Sequence, residues 1–263
     1  MSPRIKPKAR SSRRGSPHLL GYWDISRRPL QILAFLLPLV VVYEISLIFL
    51  LRSDRGVLTN KAHETLLNFF AAFGIPIDSS LFLGGIVVIV VLFIWHVLNR
   101  DPWKIDYPAV GGMAIESLAV AIPLLLLGQL IRRAAAVNVA VMMSGNDQTS
   151  WSGLGLGSEW ALSVGAGLYE ELMFRMLLVA VVHTLLVDVG GATDRLGSAI
   201  AVTVSAAAFA WYHPLTAPID AVFYFLAGLY FGAVYVVRGF GIVVGAHALY
   251  DIITFSLSSP ASG

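Results

Sequence analysis

The chain has 263 residues, 57% of them hydrophobic and 13% charged, with no cysteine and a formal net charge of +2. A soluble domain carries roughly 25% charged residues, so this composition excludes an ordinary soluble protein and points to one housed in a bilayer. The missing cysteines exclude disulfides, thiolate metal ligands and a cysteine nucleophile together.

Residues 1–29 stand apart: Arg4, Lys6, Lys8, Arg10, Arg13, Arg14, Arg27 and Arg28 lie among Ser and Pro. Such a segment reads as a disordered basic tail. Ahead of a membrane helix, anchoring at the cytoplasmic face is the better reading, and no nucleic-acid partner is expected. A hydrocarbon core of about 30 Å takes about 20 apolar residues, folded as a helix so that the backbone satisfies itself. Seven stretches have that character, at about 30–51, 80–98, 109–131, 158–187, 196–212, 218–237 and 240–258. The expected fold class is therefore all-α, a polytopic integral membrane helical bundle of about seven transmembrane helices. The run at 30–51 is too long for a cleaved signal and reads as a retained anchor. KAHETLLNFFAAFG, residues 61–74, is too short to span and reads as a helix lying in the interface or as a re-entrant piece.

Lys and Arg number 12 on the N-terminal side of these spans and 5 on the other, which predicts a cytoplasmic N-terminus in the cell (inner or plasma) membrane. That bias rests on the tail, because without it the count is 4 against 5. A soft boundary falls in the polar, glycine-rich stretch GNDQTSWSGLGLG between the third and fourth spans. Residues 30–150 then form an N-terminal membrane region of three spans plus the interfacial helix, and 151–263 a catalytic membrane domain of four spans. No internal repeat of the transporter kind is present.

The second region holds nearly all the ionisable residues placed inside spans, in three groups. In Glu170-Glu171-x-x-x-Arg175, successive residues point about 100° apart on a helix, so the two acids face different ways. Glu171 and Arg175 are four apart, share a face and can pair, which leaves Glu170 free for chemistry. In Phe209-Ala-Trp-Tyr-His213, Phe209 and His213 share a face, and Pro214 makes His213 the end of its helix. In His247-Ala-Leu-Tyr-Asp251, the two polar groups lie one turn apart, after Gly241 and Gly245, which would let another helix come close. At about 1.5 Å of rise per residue, Glu170 and His213 both lie roughly 25 Å from the inner side, whereas His247 and Asp251 lie at roughly 10 and 16 Å.

A carboxylate with an imidazole can take a proton from water and ready it to attack a carbonyl. A second imidazole with an amide or acid partner can donate to the oxyanion that develops. Those are the parts of peptide hydrolysis. The same side chains, Glu170, His213 and His247, would also suit a divalent metal such as zinc with bound water, although no HExxH pattern is present.

Glu-Glu-x-x-x-Arg, then Phe-x-x-x-His, then His-x-x-x-Asn/Asp, in that order on successive membrane helices, resembles the CAAX protease and bacteriocin-processing (CPBP) family of intramembrane proteases. The likeness covers about 158–258 and leaves 1–150 outside. It implies that Glu170 activates the water with His213, that His247 serves the oxyanion, and that Glu171 and Arg175 are a supporting pair. Asp251 occupies the position that is Asn in the CAAX endopeptidases and either Asn or Asp in bacterial members. An ionised Asp251 cannot donate to an oxyanion, so it would act protonated or by orienting His247. The resemblance implies a membrane protein, a lipidated peptide or a peptide precursor as substrate, and either a glutamate-dependent or a metal-dependent mechanism.

Blander roles are expected for the rest. Phe209 reads as a core contact that positions His213. Glu44, His96, Glu116 and His183 read as interfacial or helix-packing residues, with Glu44 and Glu116 the two able to line the cavity. Phe223, Tyr224, Phe225, Tyr230 and Phe231 read as packing and interface anchors. The rival functions are a non-proteolytic immunity or scaffold protein of the same family and a proton-coupled carrier. On the predicted topology Glu170 and His213 fall in the outer half, whereas CAAX processing is cytosolic. Either the substrate differs or the span count is off by one.

Overall fold

A computed structural model describes residues 21–53, 56–135 and 155–258. The basic tail through residue 20 and the polar loop over 136–154 lie outside the described residues. The described part is almost wholly helical, the all-α bundle expected.

Helix α1 (Tyr22–Ser26) leads into α2 (Pro29–Phe49), whose first residue is a proline with φ already set for a helix. A two-stranded antiparallel hairpin follows, β1 (Arg52–Ser53) against β2 (Gly56–Val57). Helix α3 (Lys61–Ala72) is capped by Asn60, whose side chain accepts from the His63 amide. A single turn, α4 (Ile77–Ser80), precedes α5 (Leu83–Asn99), and α6 (Tyr107–Ala135) completes this half. The second half is α7 (Leu156–Val189), α8 (Asp194–Tyr212), α9 (Pro218–Arg238) and α10 (Phe240–Ser258).

All seven predicted spans are helices, and five of them (α2, α6, α7, α9, α10) are long and apolar enough to cross a membrane. The other two differ from expectation for separable reasons. The predicted 80–98 stretch loses its start to α4, so α5 is a 17-residue apolar helix. Helix α8 opens on Asp194-Arg195 and is rich in Ala, Ser, Gly and Thr, which lowers its hydropathy. Apolar side chains on α2, α5 and α6 (Val42, Ile45, Ile86, Ile94, Ile115, Leu126) face outward, as lipid contact requires.

Helix α10 is the centre of the bundle and packs against α2, α6, α7 and α9. Its opening residues Phe240, Ile242, Val243 and Val244 are fully buried. Between lipid-bathed helices close approach rests on small residues. A Cβ on Gly167 would stand 2.9 Å from the Ala248 amide nitrogen, and one on Gly228 2.8 Å from the Ala206 Cα, so the α7–α10 and α8–α9 contacts are backbone-close. Gly241 and Gly245, expected to admit a helix backbone, instead receive side chains: Met113 and Ile32 at the first, Ser117 and Phe35 at the second.

Candidate active site

Helix α7 changes character at the first motif. It is α-helical to Glu171, then wound as a π-helix over Leu172–Val179. Such widened turns concentrate at functional sites. The i,i+4 relation read from the sequence survives the change. Arg175 Nε lies 3.1 Å from Glu171 Oε2, and both side chains are fully buried. The guanidinium also sits over the Phe209 ring at 4.4 Å and the Phe231 ring at 5.7 Å, which gives its delocalised charge a π surface.

Glu170 points the other way, as the helical geometry demands. Its Oε2 is 3.5 Å from His213 Nε2 and 3.8 Å from His247 Nε2. His213 follows the last residue of α8 and leaves it with an extended backbone, ψ 149°. Its Nδ1 is 2.8 Å from the Phe209 carbonyl oxygen. A carbonyl can only accept, so Nδ1 carries the proton and Nε2 is the atom turned to Glu170. Phe209 therefore positions His213 through its backbone as well as its ring, the two ring centroids being 4.4 Å apart.

His247 Nδ1 lies 2.7 Å from Glu171 Oε1, and its Nε2 lies 3.6 Å from Asp251 Oδ2. The chain Arg175–Glu171–His247–Glu170–His213 is thus continuous across α7, α10 and the end of α8. The depth sum had kept His247 away from Glu170 and His213, and the geometry corrects it. That sum started every helix at one membrane plane. It also gave every helix one rise per residue, whereas α7 is wound as a π-helix over Leu172–Val179 and again over Leu185–Val189, between Glu170 and the turn from which its depth was counted.

Several contacts were not legible in the motifs. Glu171 does more than neutralise Arg175, since it also holds the His247 ring. Tyr224 stacks on His213 at 4.2 Å and Phe231 on His247 at 5.0 Å, so two of the supposed packing aromatics wall the cluster. Asp220, wholly unremarked in the sequence, is buried and accepts from the Thr216 amide (2.8 Å), the Thr216 hydroxyl (2.6 Å) and the Ala217 amide (2.7 Å). It sets the turn that follows His213. The signal was available, because Pro218-x-Asp220 is a proline–acid helix start.

Neither Glu44 nor Glu116 joins the cluster. Glu44 accepts from the Tyr169 hydroxyl at 3.1 Å, and Glu116 pairs with Arg238 and accepts from Tyr22. His183 pairs with Asp194 at 3.1 Å, and His96 is buried edge-on against Trp103. His63, on α3, is fully buried and holds the Tyr43 hydroxyl at 2.8 Å and the Leu81 carbonyl at 3.0 Å. Burial pushes its imidazole down to about 4, against the bond to Leu81, which acts the other way.

Among the described residues, no three His, Asp or Glu side chains are arranged to hold a metal ion. Glu170, His213 and His247 stand close, with Nε2 of both rings toward Glu170 Oε2. No step below is routed through a metal.

An all-α membrane bundle with a buried glutamate–histidine cluster on three of its last helices defines the class as an integral membrane protein with a candidate hydrolytic site. Residues 155–253 match the family model described as type II CAAX prenyl endopeptidase Rce1-like, the family that the three motifs resemble. At family level the match supports a CAAX-type intramembrane protease. Neither the curated proteins nor the solved structures give a match to the chain.

Proposed function

We propose that the protein is an intramembrane endopeptidase that hydrolyses a peptide bond of a membrane-associated protein, CAAX-type and lipidated, or of a peptide precursor. The observation that carries this reading is the convergence of Glu170 on two imidazoles, 3.5 Å from one and 3.8 Å from the other, in a buried place where charge is costly.

Glu170, as carboxylate, takes one proton from water while the oxygen attacks the scissile carbonyl. The C–O bond forms and the carbonyl electrons move to the oxygen. His213 accepts a hydrogen bond from the same water at Nε2, because its Nδ1 proton is held by Phe209. His247 stabilises the oxyanion through Nε2–H. With Nδ1 committed to Glu171, it is such a donor only when the ring carries both protons. Asp251 stands beside that nitrogen as an orienting acceptor. Collapse of the tetrahedral species breaks the C–N bond, and Glu170 returns its proton to the leaving amine. Glu171 and Arg175 hold His247 and do not touch substrate.

The proposal extends to placement. The N-terminus lies on the cytoplasmic side of the cell membrane, residues 1–29 are an anchoring tail, 30–150 a supporting region and 151–263 the catalytic domain. The test is cleavage of a fluorogenic peptide library, part of it prenylated, by purified protein in detergent, with Glu170→Gln alongside and both repeated in chelator. Cleavage that is lost in the variant and kept in chelator supports a glutamate-dependent protease. Cleavage lost in chelator and restored by zinc would replace the metal-free steps. No cleavage by the wild type would put the scaffold reading ahead.

A further inference from the structure

Helix α3 lies outside the matched region, yet it touches the residue before each member of the catalytic pair. His63 stacks on Tyr169, which precedes Glu170, with ring centroids 4.6 Å apart. Two further α3 residues hold Tyr212, which precedes His213. Lys61 Nζ donates to the Tyr212 carbonyl and lies 4.2 Å from the centre of its ring, and Thr65 Oγ1 is 2.7 Å from the Tyr212 hydroxyl.

The Tyr212 carbonyl is one of the last four of α8, which have no partner within the helix. A cation there satisfies the oxygen and complements the negative end of the helix dipole. At this helix end the cation comes from the other half of the chain. The end matters, because His213 is the next residue and its extended backbone is what aims Nε2 at Glu170. A grip on Tyr212 at both its carbonyl and its hydroxyl leaves little freedom for the residue that follows. Helix α3 can exert that grip because it is itself fixed. Asn60 caps it at 2.8 Å, and His63 is tied to α2 through Tyr43 and to the α4–α5 connection through Leu81.

We propose that Lys61 and Thr65 are positioning residues for the catalytic histidine, acting through Tyr212, so that the N-terminal half completes the active site. This rests on the protease reading above. A misplacement of about 1 Å can cost on the order of 100-fold in rate.

The experiment uses the full chain in detergent and the fluorogenic peptide that the wild type cleaves fastest. Lys61→Met, Thr65→Val and Tyr212→Phe are expected to lower kcat by about 10-fold or more at unchanged KM. Lys61→Arg should restore most of the rate, and Thr65→Val with Tyr212→Phe should be no worse than either alone. Glu64→Gln, on the exposed face of α3, is the control that keeps wild-type rate. A second readout needs no activity: carbethoxylation of His213 by diethyl pyrocarbonate, followed by mass spectrometry, should quicken in Lys61→Met while His247 keeps its rate. Unchanged kcat, or a loss that Lys61→Arg does not rescue, overturns the proposal. Unchanged labelling of His213 overturns it even if no peptide is cleaved, whereas quickened labelling in a protein that cleaves nothing upholds the grip and sinks the protease reading instead.

Discussion

Between residues 21 and 135 the buried polar groups form separate ties. Tyr43, Asn60 and His63 join α2 to α3, and Glu116 joins α6 to Tyr22 and Arg238. From residue 155 onward they run together, Arg175 to Glu171 to His247 to Glu170 to His213. Both halves place polar groups among apolar helices. In the first half Tyr43, Asn60, His63 and Glu116 each end on a partner, which is how polar residues act as glue between membrane helices. The second half leaves Glu170 facing two imidazoles, with Nε2 of each turned to it, and that is an arrangement for moving protons. The contrast teaches that a polar residue in a membrane helix earns a catalytic reading from where its neighbours point, and not from its burial alone.

The largest expected effects break the second half. His213→Gln and His247→Gln should each lower cleavage by about 100- to 10,000-fold while the unfolding midpoint moves little. Glu171→Gln should act differently, because it strands a fully buried arginine. Breaking a buried pair by removing one partner costs about 3–5 kcal/mol, read as early unfolding in a detergent-denaturant titration. Gly167→Ala should push α7 from α10, where the added carbon would meet backbone, at about 1–3 kcal/mol in the same titration.

The first half should answer to pH and to small deletions without a change in chemistry. The His63 imidazole is held down at about 4, below the unfolded value of about 6.5. Between those values the unfolded state binds more protons. The tie is therefore at full strength above the unfolded value and weakens as pH falls toward the folded one, by about 2 kcal/mol at pH 5. Amide exchange in α3, corrected for intrinsic rates, should be faster at pH 5 than at pH 7. The smallest effect is that of Tyr22→Phe, which removes the 2.5 Å bond to Glu116. It should cost about 0.5–1.5 kcal/mol and leave cleavage unchanged.

Much of this was legible in the sequence. Helices were readable because in lipid the backbone has no other solution, and the pairing of Glu171 with Arg175 followed from helical spacing. The Glu170–His213 contact agreed with the depth sum because both residues were counted from the same helix turn, between α7 and α8. His247 did not agree, since it was counted from another turn, and a uniform rise does not hold along α7, which is π-wound after Glu171. The second bond of Glu171, the stacking of Tyr224 and Phe231, and the reach of α3 to Tyr212 are contacts between distant segments. Periodicity reports a residue's own face and is silent on what another helix brings to it.

The central claim is that Glu170 does chemistry and the groups behind it do support. Cleavage and unfolding measured together on wild type and Glu170→Gln test it most directly, because the substitution keeps size and hydrogen bonding but removes the base. The account predicts cleavage lost by at least about 100-fold with the wild-type unfolding midpoint retained. Cleavage retained by the variant, or lost only in step with stability, would contradict it.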